Sequence, residues 1–336
     1  METAIQRKID NLNKPKGALG LLEELAMQIC LVQQSLEPRL THPCHLLLGG
    51  DHGIEREGVS ATPREVTWQQ MVNFTQGGGG VNLFCRQHGF DLSVVDVGVD
   101  HDLTDVPGII HRKIAPGTRN FLHEAAMTEE QFEQAIDVGA SLMDDCHAKG
   151  SNIVCIGEMG AANTSPSSIW MSLLCRLPLN ECIGAGSGLD CEGVSHKEAV
   201  LSTAVERFLA CNDCPTPHLT LRYFGGFEMV AAVGAMLRAA ERRMLVMVDG
   251  FIMTACALGA YTTHPAVLDY LIFGHCGDEA GHRKMLDFLN AKPLLQLGLR
   301  LGEGTGALCA YPLVDSAVRM MNEMNNFVSA HITKYF

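Results

Sequence analysis

Asn152-Ile153-Val154-Cys155-Ile156-Gly157-Glu158-Met159-Gly160 decides how this chain is built. Residues 153–156 are apolar at every position, and three of the four are β-branched. A run without alternation is a strand buried on both faces, as in a parallel sheet. It ends in a glycine-flanked loop that carries one carboxylate. Asn163-Thr164-Ser165-Pro166 follows at once, and there Ser165 reads as an N-cap and Pro166 as the first residue of a helix to about Leu177. Strand, glycine loop and helix in that order form the unit of an α/β protein.

The pattern repeats outward from this segment. Short apolar runs recur at 45–48, 92–99, 219–224, 244–248 and 270–273, and most end in a glycine loop. Helical spacing fills 127–148, 196–211, 227–242 and 278–290. These alternations predict a Rossmann-like three-layer αβα fold with a mostly parallel sheet. The loops Gly49-Gly50-Asp51-His52-Gly53, Gly157-Glu158-Met159-Gly160, Gly225-Gly226, Asp249-Gly250 and Gly274-His275 then converge at the carboxyl ends of the strands, where such sheets bind ligands. Helices near 17–31 and 306–330 have no strand beside them and are expected to form a small helical subdomain from both termini. The expected division is a catalytic α/β core at 40–300, with 1–39 and 301–336 supplying the helical subdomain and a catalytic loop.

Composition excludes several classes. The 336 residues are 47% hydrophobic and carry a net charge of −13, with no basic block to track a phosphate backbone, so nucleic acid is not an expected partner. A polar start and an apolar run of only 251–261 predict neither a secretory signal nor a membrane span. Thirteen scattered cysteines fit a reducing cytoplasm. Cys211-Asn212-Asp213-Cys214 lacks the second pair that a zinc ribbon needs. No GxGxxG follows a strand, which removes the fingerprint of a nicotinamide-dinucleotide oxidoreductase, and no GxxxxGK[ST], HExxH or GxSxG is present. His52, His275 and His282 fall in no metal-binding spacing, so they read as hydrogen-bonded or exposed side chains.

Chemistry concentrates in Leu299-Arg300-Leu301-Gly302-Glu303-Gly304-Thr305-Gly306-Ala307. One carboxylate between glycines suits an acid held against a ligand, and Glu303 is the first candidate for a base; a turn with a solvated Glu is the plain alternative. Thr62-Pro63-Arg64-Glu65 reads as a capped helix start, with Val66, Gln70 and Asn73 on one face. Capping alone, with Gln70 in solvent, is its alternative. The Gly157–Gly160 loop feeding the helix at Ser165 makes an anion site, which an ordinary capped helix also satisfies. Glu158 would repel a phosphate there and so faces a sugar hydroxyl or a heterocycle N–H. Gly184-Ala185-Gly186-Ser187-Gly188, with Lys197 behind it, is either a backbone nest or a simple loop.

Taken in order, these segments resemble one family along nearly the whole chain. They are Lys14-Pro15-Lys16-Gly17-Ala18-Leu19-Gly20-Leu21-Leu22-Glu23-Glu24-Leu25, Asp51-His52-Gly53, Glu57-Gly58-Val59, Ile156-Gly157-Glu158-Met159-Gly160, Gly225-Gly226-Phe227-Glu228, Val248-Asp249-Gly250-Phe251, Gly274-His275 and Leu301-Gly302-Glu303-Gly304-Thr305-Gly306. The chain is similar to the nicotinate-nucleotide:5,6-dimethylbenzimidazole phosphoribosyltransferases of cobalamin lower-ligand assembly. That resemblance implies phosphoribosyl transfer from nicotinate mononucleotide to a benzimidazole-type base. By the same resemblance Glu303 and Glu158 are the catalytic carboxylates, and Thr62, Gln70 and Leu301 line the base pocket. Gly160, Asn163, Thr164, Ser165, Ser187, Gly188 and Lys197 hold the ribose phosphate. Ser165 stands where the family often has threonine, and Thr62 where it often has serine. A cytoplasmic homodimer is also implied, acting on small molecules only. No cofactor and no metal are expected: the strand before Asp249 offers one acid, where users of pyrophosphorylated ribose have paired acids for Mg²⁺. The rival reading is a non-catalytic nucleotide- or base-binding protein on the same fold.

Overall fold

The computed structural model describes residues 1–335. Its strands are β1 (Cys44–Gly50), β2 (Asp91–Gly98), β3 (Ile109–His111), β4 (Ile153–Met159), β5 (Leu245–Val248) and β6 (Leu271–Phe273). They form one sheet in the order β3-β2-β1-β4-β5-β6, parallel throughout. Successive side chains point to opposite faces, so apolar runs feed two cores at once. Leu46, Leu48, Val154, Ile156, Val246 and Val248 pack into one, and Leu47, Ile153, Cys155, Leu245 and Met247 into the other.

The first core is covered by α5 (Glu129–Ala148), α6 (Thr164–Cys175), α7 (Cys191–Cys211), α8 (Pro217–Phe224), α9 (Phe227–Glu241), α10 (Phe251–Thr263) and α11 (His282–Phe288). The second is covered by α1 (Glu2–Asn11), α2 (Leu21–Gln33), α3 (Glu65–Thr75), α4 (Gly80–His88) and α12 (Thr305–Glu323). Three layers result, as the alternating pattern required. The terminal helix α2 contacts both α1 and α12, and α12 also lies over β4 and β5. That placement brings the segment before α12 to the strand ends.

Several local expectations are corrected. The run 219–224 is not a strand but lies in α8, because Thr216 Oγ1 accepts from Leu219 N–H at 3.2 Å and Pro217 opens the helix. Thr62 caps nothing: α3 starts at Glu65 with Arg64 at the cap position. Arg64 instead reaches Asp100 (2.8 Å), Glu55 (3.3 Å) and the His52 carbonyl (2.9 Å), which ties this loop to the end of β1. Ser165 is not a cap either; α6 begins at Thr164, and the Ser165 hydroxyl is buried without a partner. Helix α7 starts at Cys191, five residues before the spacing predicted, because Asp190 Oδ1 accepts from Gly193 N–H at 2.8 Å. The C-terminal helix stops at Glu323, and α11 begins only at His282.

Strand order reverses between β1 and β4, and the loops leaving them part there. This is the position where a doubly wound sheet opens a crevice.

Candidate active site

A cavity of about 300 Å³ occupies that crevice, walled by the loops after β4, β5 and β6, the start of α3 and the segment before α12. Glu303 lies on its wall, 7% exposed. Gly302, Glu303 and Gly304 all have positive φ (82°, 62° and 80°), so a non-glycine residue sits in left-handed backbone between two glycines. That conformation costs about 1–3 kcal/mol and persists only where the surroundings hold it.

Three contacts hold it. Thr305 Oγ1 donates to the Gly302 carbonyl at 2.7 Å. Asp249 Oδ1, at the end of β5, accepts from Ala307 N–H at 2.9 Å and so caps α12 from another element. Gly157 leaves room for the loop backbone: a Cβ there would lie 2.3 Å from the Glu303 carbonyl oxygen. His275, after β6, places Nε2 3.3 Å from Asp249 Oδ1 and closes the same cluster.

The Glu303 carboxylate points at the N-terminus of α4, where Oε2 accepts from Val81 N–H at 3.1 Å. Burial raises its pKa; the Val81 N–H opposes that and the Asp249 charge adds to it, and the net direction is up. A buried carboxylate of raised proton affinity that accepts from a helix N-terminus suits a general base.

Glu158 ends β4 directly beneath this loop. A Cβ on Gly302 would lie 2.4 Å from its Oε1, and the Asn163 amide donates to its other oxygen. Burial pushes its pKa up to about 8 despite the Asn163 amide, with Glu228, Asp249 and Glu303 adding repulsion. Burial thus favours its protonated form, in which the carboxyl can donate a hydrogen bond.

Thr62, Gln70 and Leu301 line the same cavity. Leu301 is 62% exposed, an apolar surface facing open space beside the carboxylate. Gly160, Asn163, Thr164 and Ser187 line it as well. Lys197 stands one layer back: it is 1% exposed and its Nζ donates to Thr164 Oγ1 at 2.8 Å. Burial pulls its pKa down to about 8, against the nearby Glu279 charge. Ser165 and Gly188 do not reach the cavity wall. Gly186 does, and a Cβ there would sit 2.9 Å from Thr164 Oγ1.

Sequence reasoning assigned no role to Asp249, His275, Glu279 or Arg300, all on the wall. The Asp249-Gly250 and Gly274-His275 loops carried the signal, but their partners lie far along the chain. His52, His275 and His282 are all buried; His52 Nε2 lies 2.7 Å from Glu228, and His282 Nε2 3.0 Å from Thr254. Among the described residues no three His, Cys, Asp or Glu side chains are grouped to hold a metal ion. No described helix is long and apolar enough to cross a membrane.

Comparison with known proteins bears on the fold and the family. A family model described as phosphoribosyltransferase matches residues 1–332. The nicotinate-nucleotide–dimethylbenzimidazole phosphoribosyltransferase of Bacteroides fragilis is 57% identical over 333 residues, which cover 99% of this chain and 96% of that protein. The protein of the same name from Dechloromonas aromatica is 50% identical over 99% of this chain and 96% of its own. The crystal structure of CobT from Thermus thermophilus superposes with a TM-score of 0.95 at 36% identity, over 99% of each chain. The chain is thus a member of the nicotinate-nucleotide–dimethylbenzimidazole phosphoribosyltransferase family.

Proposed function

We propose that this chain moves the phosphoribosyl group of nicotinate mononucleotide to 5,6-dimethylbenzimidazole, giving α-ribazole 5′-phosphate and nicotinate. One observation carries the reading. A buried carboxylate of raised pKa, Glu303, and the apolar Leu301 side chain line the same cavity as Thr164, whose hydroxyl accepts from Lys197.

The donor ring nitrogen is a pyridinium, so the C1′–N bond breaks with its electron pair passing to that nitrogen, and no general acid is needed. One nitrogen of the benzimidazole forms the new bond to C1′ from the opposite face, which inverts β to α. Its other nitrogen loses its proton to Glu303, a general-base contribution of about 10²–10⁴ in rate. Two carboxyl groups, as in ordinary glycoside hydrolysis, are not required. Protonated Glu158 donates to a ribose hydroxyl, and the buried charges near C1′ favour the cationic transition state. Thr62, Gln70 and Leu301 take the base; Gly160, Asn163, Thr164, Ser187 and, through Thr164, Lys197 take the ribose phosphate. Ser165 and Gly188 serve by shaping this loop rather than by contact. Alignment of donor and acceptor supplies much of the remaining acceleration.

Residues 40–300 act as the catalytic core, with 1–39 and 301–336 delivering the Glu303 loop. The working form is a cytoplasmic homodimer with small-molecule substrates and no cofactor. The rival is a binding protein of the same fold. Incubation with both substrates and chromatography separates them: α-ribazole phosphate is the expected product, and retention of both substrates unchanged points to the rival.

A further inference from the structure

Beneath the Glu303–Gly304 peptide lies an imidazole that the reaction above does not use. His45 is on β1 and pairs across the sheet with Cys155 of β4. Both side chains meet the catalytic loop at one point. A Cβ on Gly304 would lie 2.2 Å from His45 Cε1 and 3.3 Å from Cys155 Sγ. The Cys155 thiol donates to the Gly304 carbonyl at 3.5 Å.

His45 is fully buried, and neither ring nitrogen has a hydrogen-bond partner. A buried polar group without partners is destabilising, whereas an aliphatic side chain would fill the same space on β1 as Leu47 does two residues on. Burial pushes the ring down to about 4, against the Asp249 charge and the Glu303 carbonyl, so it is neutral and keeps one N–H. The same Cβ on Gly304 would lie 3.0 Å from His45 Nε2, which sets that nitrogen beside the Glu303–Gly304 peptide. The carbonyl of that peptide belongs to the one non-glycine residue of the left-handed stretch 302–304.

We propose that His45 is a positioning residue for the general base: its ring N–H faces the Glu303 carbonyl and closes to a hydrogen bond in the transition state, as Glu303 takes the proton. Hydrogen bonds around an active site are often long in the empty enzyme and tighten in the complex. The bond would join the Asp249 cap and the Gly157 contact in fixing the backbone from which Glu303 reaches the base. The inference rests on Glu303 being that base.

Leucine, methionine and glutamine at position 45 test it, with Glu303→Gln beside them. The expected result for His45→Leu and His45→Met is a kcat lower by about 10-fold, the size of one lost hydrogen bond, with the KM values of both substrates within about 2-fold. Tm stays or rises, because an unpartnered imidazole has left the core. His45→Gln, whose amide keeps an N–H, recovers kcat to within about 3-fold of the parent. Unchanged kcat in the apolar variants overturns the proposal. Equal losses in the apolar and glutamine variants also overturn it, since volume alone would then explain them. Should leucine prevent folding, methionine decides. If Glu303→Gln keeps its activity the base assignment itself fails; if only the His45 variants are silent, this proposal alone fails.

Discussion

Asp249 Oδ1 and Ala307 N–H lie 2.9 Å apart, so the helix following the Glu303 loop is capped from the residue after a sheet strand rather than by its own residues. The loop between them, with Glu303 at φ 62°, is therefore anchored to β5 on one side and seated over β4 on the other.

Loss of that cap weakens fold and catalysis together. Asp249→Ala is expected to cost about 1–2 kcal/mol, the usual worth of an N-cap, and to lower kcat by more than the lost stability explains. Denaturant unfolding and steady-state kinetics on one preparation check both; normal kcat in a destabilised variant would show the cap to be structural only.

Gly157→Ala tests the seat. Its Cβ would fall 2.3 Å from the Glu303 carbonyl oxygen, a main-chain atom that cannot rotate away, so the loop must move. A 1 Å displacement of catalytic groups can cost about 10²-fold in rate, and a loss of that order in kcat is expected while the protein remains folded by circular dichroism.

How much of this was legible in the sequence depends on how far each effect reaches. Strands β1, β2, β4, β5 and β6 announced themselves through apolar runs closed by glycine. The run 219–224 did not, since six residues show no period; Thr216-Pro217 just before it was the signal that decides for helix. Strand β3 is three residues long and exists because Val94 and Ile109 face each other across the sheet. The cavity residues Thr62, Gln70, Glu158, Thr164, Leu301 and Glu303 were singled out from glycine loops, helix starts and family resemblance, and all six line one cavity. Ser165 and Gly188, matched by loop rather than by register, do not line it. The Asp249–Ala307 and Lys197–Thr164 bonds span 58 and 33 positions, and only folding brings their ends together.

Stability should depend on pH through Glu158. Its folded pKa, about 8, lies above the ordinary 4.5, so the native state holds a proton that the unfolded chain has released. Stability from this group is full below pH 4.5 and is lost as pH rises to 8. Glu158→Gln removes the titration, and its Tm at pH 8 relative to the parent should rise by at least about 2 °C compared with the same difference at pH 5. A difference independent of pH would refute the protonated assignment.

Leu301→Ala removes apolar surface that the base would cover. A partial loss of side-chain burial, about 1 kcal/mol, raises KM for dimethylbenzimidazole roughly 5-fold with donor KM unchanged. A shift confined to the donor would move the base pocket elsewhere.

Because the leaving group is a pyridinium, activity should persist in excess chelator. Loss on adding EDTA, restored by Mg²⁺, would contradict that account.

The most direct measurement is single-turnover kinetics of Glu303→Gln with saturating nicotinate mononucleotide and dimethylbenzimidazole, across pH. The account predicts a rate lower by about 10²–10⁴ with base affinity kept, and a parent acid limb that titrates above pH 4.5 and is absent in the variant. A variant within about 3-fold of the parent, or one that keeps the same acid limb, would contradict Glu303 as the base.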